Sequence, residues 1–396
     1  MPADQTTLNH TARVLVTVTP QLPADAALRR YFYHHDRLAP QLRRAISRCV
    51  FNYYRWLRWV DTKQSLQKQL DHALHLNECF VRDAKSVKPE ALAARAVPEW
   101  LTAEIDWPEA KVGAVVPNGP SAAKDNRPYP SEAAYLRQLQ REPALWLRAR
   151  PGKAHHLAQT LGHGQTSQHA PDAVRYSGEK DLFRTAQFHE GAFEIQDLAS
   201  QLVALAAAPF PGQTWWDACA GEGGKTLHLA DLMQNKGLIW ATDRNERRLQ
   251  TLKRRAARAK IFNFRTATWD GSERLPTKAK FDGILIDAPC SGVGTWQRNP
   301  HARWTTTLDD VRELAATQTA LLHHAAGSLK SGGRLLYAVC TLTRSETTAI
   351  ADAFTAAHPE FTPAPLQALG SSLPALTLWP HELNANGMFI AAWQKA

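Results

Sequence analysis

This sequence is short of cysteine, of long apolar runs and of any leader-like start, and each shortage removes a class of protein. Its 396 residues hold five cysteines, Cys49, Cys79, Cys219, Cys290 and Cys340. Five is odd and their spacing resembles no zinc-ligand set. That argues against a disulfide framework and for a reducing compartment. No window approaches the roughly 18 unbroken apolar residues of a membrane-spanning helix. The start, MPADQTTLNHTARVLVTVTP, has no basic stretch followed by an apolar core, so no signal peptide is expected. No internal repeat is visible. The expectation is a soluble, cytoplasmic monomer without a bound metal or a membrane partner.

Acidic charge is also in deficit. There are 37 Asp and Glu against 47 Lys and Arg, a formal net charge of +10. Such an excess fits a soluble protein with a basic face or a binder of polyanions, and charge alone does not choose. At 44% hydrophobic and this length, the chain can bury a large core and form more than one domain.

Three regions are expected: a helical N-terminal domain over 1–125, a small α/β module over 126–185 and a larger α/β domain over 186–396. In QLRRAISRCVFNYYRWLRWV, Leu42, Ile46, Cys49, Val50, Tyr53, Leu57 and Val60 recur three and four apart, as on one face of a helix. Arg43, Arg44, Arg48, Arg55 and Arg58 fall opposite, on either a solvated face or one that meets phosphates. The Pro-, Gly- and Asn-rich stretch 113–131 reads as a linker or long loop. ALWLRARPG at 144–152 predicts a strand and turn, followed by a helix near 153–161 and a strand near 172–176.

From about 186 the signal strengthens. Strand-like QTWWDAC, GLIWATD, FNFRTAT, FDGILID and GRLLYAVC alternate with helical stretches. That alternation predicts a Rossmann-like, mostly parallel sheet with helices on both faces, ending in an antiparallel pair of strands. Ligands of such sheets sit beyond the carboxyl ends of the strands. There the sequence places DACAGEGGKT, whose Gly221, Gly223 and Gly224 permit a tight turn before a helix; the spacing is not that of a P-loop. Asp243 follows Gly221 by 22 residues, the place of an acid that takes ribose hydroxyls. Asp270 and Asp287 end the next two strands. Three carboxylates over one glycine loop suit a cationic nucleoside cofactor, and S-adenosylmethionine fits.

Two strands end in cysteines, Cys290 in DAPCSGVGTWQRNP and Cys340 in YAVCTLTRSE. With the glycine loop, these motifs resemble those of the RNA cytosine-5 methyltransferases, the group that includes the small-subunit rRNA enzymes and their eukaryotic relatives. FHEGAFEIQDLASQLVA at 188–204 is similar to the segment preceding that catalytic domain, and LWPHELNANGMFIAAW to its last hairpin. The resemblance covers 190–396 well and 140–190 loosely. HHDRLAPQLRRAISRCVFNYYRW is distantly similar to a helical RNA-binding domain that some members carry.

The resemblance implies methylation of cytosine in RNA, with rRNA as the favoured substrate. It makes Cys340 the nucleophile that adds to C6, has Asp287 contact the base and gives Cys290 a part in releasing product. It places S-adenosylmethionine over Cys219, Ala220, Gly221, Glu222, Gly223, Gly224, Lys225, Asp243, Asp270 and Asp287. The chemistry suits the residue type. Cytosine C5 is a poor nucleophile until a thiolate at C6 makes it enamine-like, and a thiolate can also leave. Members of the group often read Ala-Pro where this chain has Gly221 and Glu222, and Thr where it has Val339; neither change removes a reacting group.

A base buried in RNA must be unpaired or splayed out, at a cost that phosphate contacts offset. RNERRLQTLKRRAARAK at 244–260 has eight Lys or Arg, and TWQRNPHARW sets Arg298, His301 and Arg303 among Trp296 and Trp304. The latter is expected at the RNA entrance. A tRNA or DNA cytosine methyltransferase on the same scaffold, and a non-catalytic RNA-binding assembly factor, are the alternatives.

Overall fold

The computed structural model describes residues 4–107 and 131–396. Most of the linker-like stretch therefore lies outside the described residues. The chain forms two compact units. One is helical, and holds the described residues up to 107 together with 131–143 and 295–308; the other holds 144–294 and 309–396. The first boundary thus differs from a helical domain over 1–125, because a helix at Ser131–Leu139 and a stretch from deep in the catalytic region join the N-terminal helices.

In the helical unit the long basic helix runs Pro40–Arg55, with proline at its first position, where its missing N–H costs nothing. Ile46 and Val50 are fully buried and pack with Val14, Leu28 and Leu70 of neighbouring helices. Tyr54 continues the buried face set by Ile46 and Val50, and the helix stops before Leu57, with Trp56 buried just past its end. Arg55 departs from the basic face. It is buried, and donates to Asn52 and to the Gln297 carbonyl at 3.4 Å.

The second unit carries two sheets. Strands β1 (Leu145–Ala149), β2 (Gly164–Thr166), β3 (Ala173–Tyr176) and β4 (Phe193–Ile195) form an antiparallel sheet in the order β2-β3-β1-β4. Its last strand comes from beyond residue 186, so the small module runs past the expected boundary. The larger sheet holds β5 (Thr214–Asp217), β6 (Leu238–Asp243), β7 (Phe264–Thr268), β8 (Phe281–Asp287), β9 (Leu329–Val339), β10 (Phe361–Pro363), β11 (Ala375–Leu378) and β12 (Met388–Lys395). Its order is β10-β12-β9-β8-β5-β6-β7, with β11 also on β12. β7, β6, β5, β8 and β9 are parallel; β12 runs antiparallel to β9.

Side chains alternate across this sheet. Leu335, Tyr337 and Val339 join one apolar core with the helices Leu308–Ala326 and Thr348–Ala357. Leu336 and Ala338 join the other, under the helices Leu198–Ala207, Gly224–Leu232 and Glu246–Arg258. Both faces are covered, which is why the central strands read as unbroken apolar runs. Strand order reverses between β5 and β8, the place where such sheets open a crevice for ligand. Among the described residues no helix is long and apolar enough to cross a membrane.

Candidate active site

The crevice is built from the ends of β5, β6, β8 and β9. After β5 the backbone turns through Gly223 at φ +85° into the helix Gly224–Leu232. A side chain there would strike Leu252 at 2.5 Å, so the turn demands glycine on both counts. Asp243, almost fully buried at the end of β6, holds the loop: its Oδ2 accepts from the Gly221 N–H at 2.9 Å and from Arg248 at 3.2 Å. Its Oδ1 accepts from the Asn245 N–H at 2.8 Å. A carboxylate offers about four lone-pair positions, so Oδ1 retains one for a hydroxyl of a ligand. Cys219 is half-buried, Ala220 is buried and Glu222 is exposed; Glu222 joins the structure through its carbonyl, which accepts from Arg255.

Beyond β7, Asp270 is exposed and caps a turn, accepting from the Ser272 N–H at 3.0 Å. It lines an open cleft of about 480 Å³ with Arg244, Thr268, Trp269 and Leu275 among others. A glycine turn feeding a helix N-terminus, an acid with a lone pair to spare and an adjoining cleft suit a nucleoside with a positive charge.

Asp287 ends β8, half-buried, and accepts from the Lys225 ammonium at 2.7 Å. Burial alone would lower the Lys225 pKa; the Asp287 carboxylate outweighs it, and the group ends raised and charged. Deeper under the loop, Asp217 is fully buried. One oxygen accepts from the Thr226 hydroxyl at 2.6 Å and the other has no partner among the described residues. Burial pushes this carboxyl up to about 7, with the Thr226 bond only partly opposing.

Cys290 and Cys340 come together at the ends of the adjacent parallel strands β8 and β9, their sulfurs 3.3 Å apart and half-buried, both as free thiols. The contact is fixed by backbone. The Gly294 N–H donates to the Cys340 carbonyl at 3.0 Å, and the Gly387 N–H to the Gly294 carbonyl at 2.8 Å. A side chain on Gly294 would meet the Gly387 oxygen at 2.1 Å. The two thiols are unlike. The hydrogen bond from Cys290 holds the Cys340 pKa below its ordinary value, against burial and the Asp287 charge and with help from Lys225. The same bond, burial and the charge of Glu346 push Cys290 well up. Of the two, Cys340 is the thiol that gives up its proton more readily.

Residues 204–394 match the family described as 16S rRNA methyltransferase RsmB/F. The match spans just under half of the chain. A protein of Bacillus subtilis named probable ribosomal RNA small subunit methyltransferase B is 36% identical over 57% of this chain and 53% of its own length. The chain spans about half the length of the curated relatives it matches. The crystal structure of PH0851 superposes with a TM-score of 0.76 at 22% identity, covering all of both chains. A methyltransferase homolog protein from Pyrococcus horikoshii gives 0.59 at 26%, covering 67% of this chain and 90% of its own.

Within the matched region the motif residues fall around one crevice, whereas the arginine- and tryptophan-rich stretch after Cys290 is placed otherwise than expected. It belongs to the helical unit. Arg303 is fully buried and donates to the Ala96 and Leu139 carbonyls at 2.9 and 3.0 Å, one at each of two helix C-termini. Burial pulls it down to about 9, still charged at neutral pH. His301 is buried with its ring 4.6 Å from Tyr54, and Trp296 is buried beside Trp100. A buried guanidinium that satisfies two helix ends is not available to a phosphate. Arg298 alone of the three charged candidates is exposed. The basic helix also divides its labour: Arg255 and Arg258 neutralise the buried Glu194 at 2.9 and 2.6 Å, while Arg244, Arg247, Lys253, Arg254 and Lys260 stay exposed.

Sequence reasoning passed over Glu346, which is fully buried behind the two cysteines. It also gave no hint that Lys225 pairs with Asp287. An acid within the polar turn after Cys340 was the available signal for the first.

Proposed function

We propose that the chain is an S-adenosylmethionine-dependent RNA methyltransferase that forms 5-methylcytosine, with rRNA as its substrate. The observation that carries this reading is the pair of unlike thiols 3.3 Å apart at the ends of two parallel strands. It stands beside a cradle that suits a nucleoside cofactor. A binding protein without chemistry has no use for a thiolate stabilised in this way.

When bound over residues 219–225 and Asp243, S-adenosylmethionine supplies an electrophilic methyl group. Cys340 Sγ adds to C6 of a flipped-out cytosine, and the ring electrons pushed toward C5 make that carbon nucleophilic. Asp287, held by Lys225, faces the polar edge of the base and accepts a hydrogen bond from its amino group, which orients C6 toward the sulfur. Once C5 is methylated it gives up its proton to a base, the Sγ–C6 bond breaks and the sulfur leaves as thiolate. The Cys290 S–H stabilises that leaving thiolate, so the second cysteine serves the exit as well as the ground state. Arg298 and the exposed arginines of the basic helix contact phosphates.

The test is bisulfite sequencing of total RNA from cells with and without the gene. One rRNA cytosine should lose protection in the deletion, and Cys340→Ala should reproduce the loss. A site in tRNA would shift the substrate to the first alternative. An unchanged methylation map in the Cys340→Ala strain would sink the reading.

A further inference from the structure

Glu346 has no solvent exposure, yet no lysine or arginine among the described residues is paired with it. It ends the single turn Arg344–Glu346 beyond β9. A buried carboxylate survives only when its lone pairs are met by donors, and here the donors are specific. Oε1 accepts from the Ser291 N–H at 2.8 Å and the Gln318 amide at 2.9 Å. Oε2 accepts from the hydroxyls of Ser291, Thr341 and Thr343, the last two at 3.1 and 2.7 Å. The N–H and the amide can only donate, so an oxygen acceptor is required at that position.

The origin of these donors matters. Ser291 follows Cys290 and Thr341 follows Cys340. Gln318 also donates to the Pro289 carbonyl at 2.8 Å, gripping the residue before Cys290. The Tyr337 hydroxyl lies 2.9 Å from the Gln318 amide oxygen and 2.7 Å from the Glu346 carbonyl. One carboxylate thus ties the turn after β8, just past Cys290, to the turn after β9, just past Cys340. With five donors upon it, the group has no lone pair left for substrate or for a proton in flight, so it is not itself a reacting group.

We propose that Glu346 is a positioning residue, which locks the two cysteine turns together and so aims the Cys290 S–H at the Cys340 sulfur; the proposal rests on the two-cysteine reading above for its role in catalysis. Its negative charge acts in the same sense, because it disfavours a thiolate on Cys290 and leaves the anion to Cys340.

Glu346→Gln tests this in the full-length protein. The substituted amide keeps an oxygen for the Ser291 N–H and the Gln318 amide, but it removes the charge and turns an N–H₂ toward the Ser291, Thr341 and Thr343 hydroxyls, whose hydrogen bonds must reverse, so the tether between the two turns loosens. Iodoacetamide labelling of Cys340, followed across pH by mass spectrometry, should then show a thiolate profile displaced toward higher pH. Single-turnover methylation should slow by about 10- to 100-fold, with the KM for RNA and the affinity for S-adenosylmethionine changed by less than about twofold. Ser291→Ala, which removes one tether and no charge, should shift both readouts the same way by less, and it carries the test if Glu346→Gln fails to fold. Glu346→Asp should recover part of the rate.

A folded Glu346→Gln protein with wild-type labelling and wild-type turnover overturns the proposal. So does one in which cofactor affinity and RNA affinity fall in step with the rate, since that is general loss of structure. Labelling needs no RNA. A wild-type protein that methylates no cytosine would overturn the function proposed above, and Cys340 labelling would still decide for or against Glu346.

Discussion

Removing Cys290 from the thiol pair gives the sharpest test of how charge is shared at the site. Cys290→Ala deletes the S–H that lies 3.3 Å from the Cys340 sulfur and leaves Lys225, the other group that lowers its pKa, in place. A hydrogen bond to a charged acceptor contributes about 1.5–3 kcal/mol. At about 1.4 kcal/mol per pKa unit, its loss should raise Cys340 by about one to two units. Below both pKa values the thiolate fraction then drops about 10- to 100-fold. A more basic thiolate is also a better nucleophile, with a Brønsted slope near 0.4–0.5, so the labelling rate should fall by only about 3- to 10-fold. The assay is the rate of iodoacetamide labelling of Cys340 as a function of pH, read by peptide mass spectrometry. The wild type should label Cys340 first. Raising the pKa of a thiol also makes it a slower leaving group, so Cys290→Ala should accumulate a denaturation-resistant protein–RNA adduct. Unchanged or faster labelling of Cys340 in the variant, or Cys290 labelling ahead of Cys340 in the wild type, would refute the assignment of the anion.

Two further outcomes follow from buried groups. Asp217, pushed up to about 7 from an ordinary value of 3.8, keeps a proton that the unfolded chain releases, so its contribution to stability is lost as pH rises from about 4 to about 7. Asp217→Asn should flatten that part of the profile in denaturant titrations, and variant and wild-type curves that run parallel across the window would contradict the burial argument. Arg303→Met should destabilise the full chain by about 3 kcal/mol by leaving two helix-end carbonyls unmet, visible as a lowered melting temperature with cofactor affinity intact. An unchanged melting temperature with weakened RNA binding would return Arg303 to the RNA.

Much of the catalytic region is legible in the sequence alone. Strands such as FDGILID are buried on both faces and read as apolar runs whatever surrounds them, and their carboxyl ends are where ligands collect. The motifs around Gly221, Cys290 and Cys340 did the rest. The stretch after Cys290 misled because arginine beside tryptophan has the same composition whether it meets a phosphate or two helix ends. What decides is burial by Ala96, Leu139 and Tyr54, residues more than a hundred and fifty positions away in the chain. Arg55 failed for the same reason: a 3.6-residue period places it on a solvated face, and only a distant carbonyl, that of Gln297, shows otherwise. Glu346 stands in plain view in YAVCTLTRSE, but nothing in its local sequence tells a solvated acid from one with five donors.

The helical unit is assembled from three separate stretches of chain, the last taken from between Cys290 and the helix that carries Gln318. It is therefore not a cassette that gene fusion or deletion can add and remove at one end. A truncation that began at β1 would strip residues 295–308 of the helices they pack with, baring Trp296 and an uncompensated Arg303 directly after the Cys290 turn. Any lineage that shed the N-terminal helices would have had to rewrite that loop at the same time. The interleaving makes loss or exchange of the helical part by a single terminal cut unfavourable, and so ties its inheritance to that of the active site.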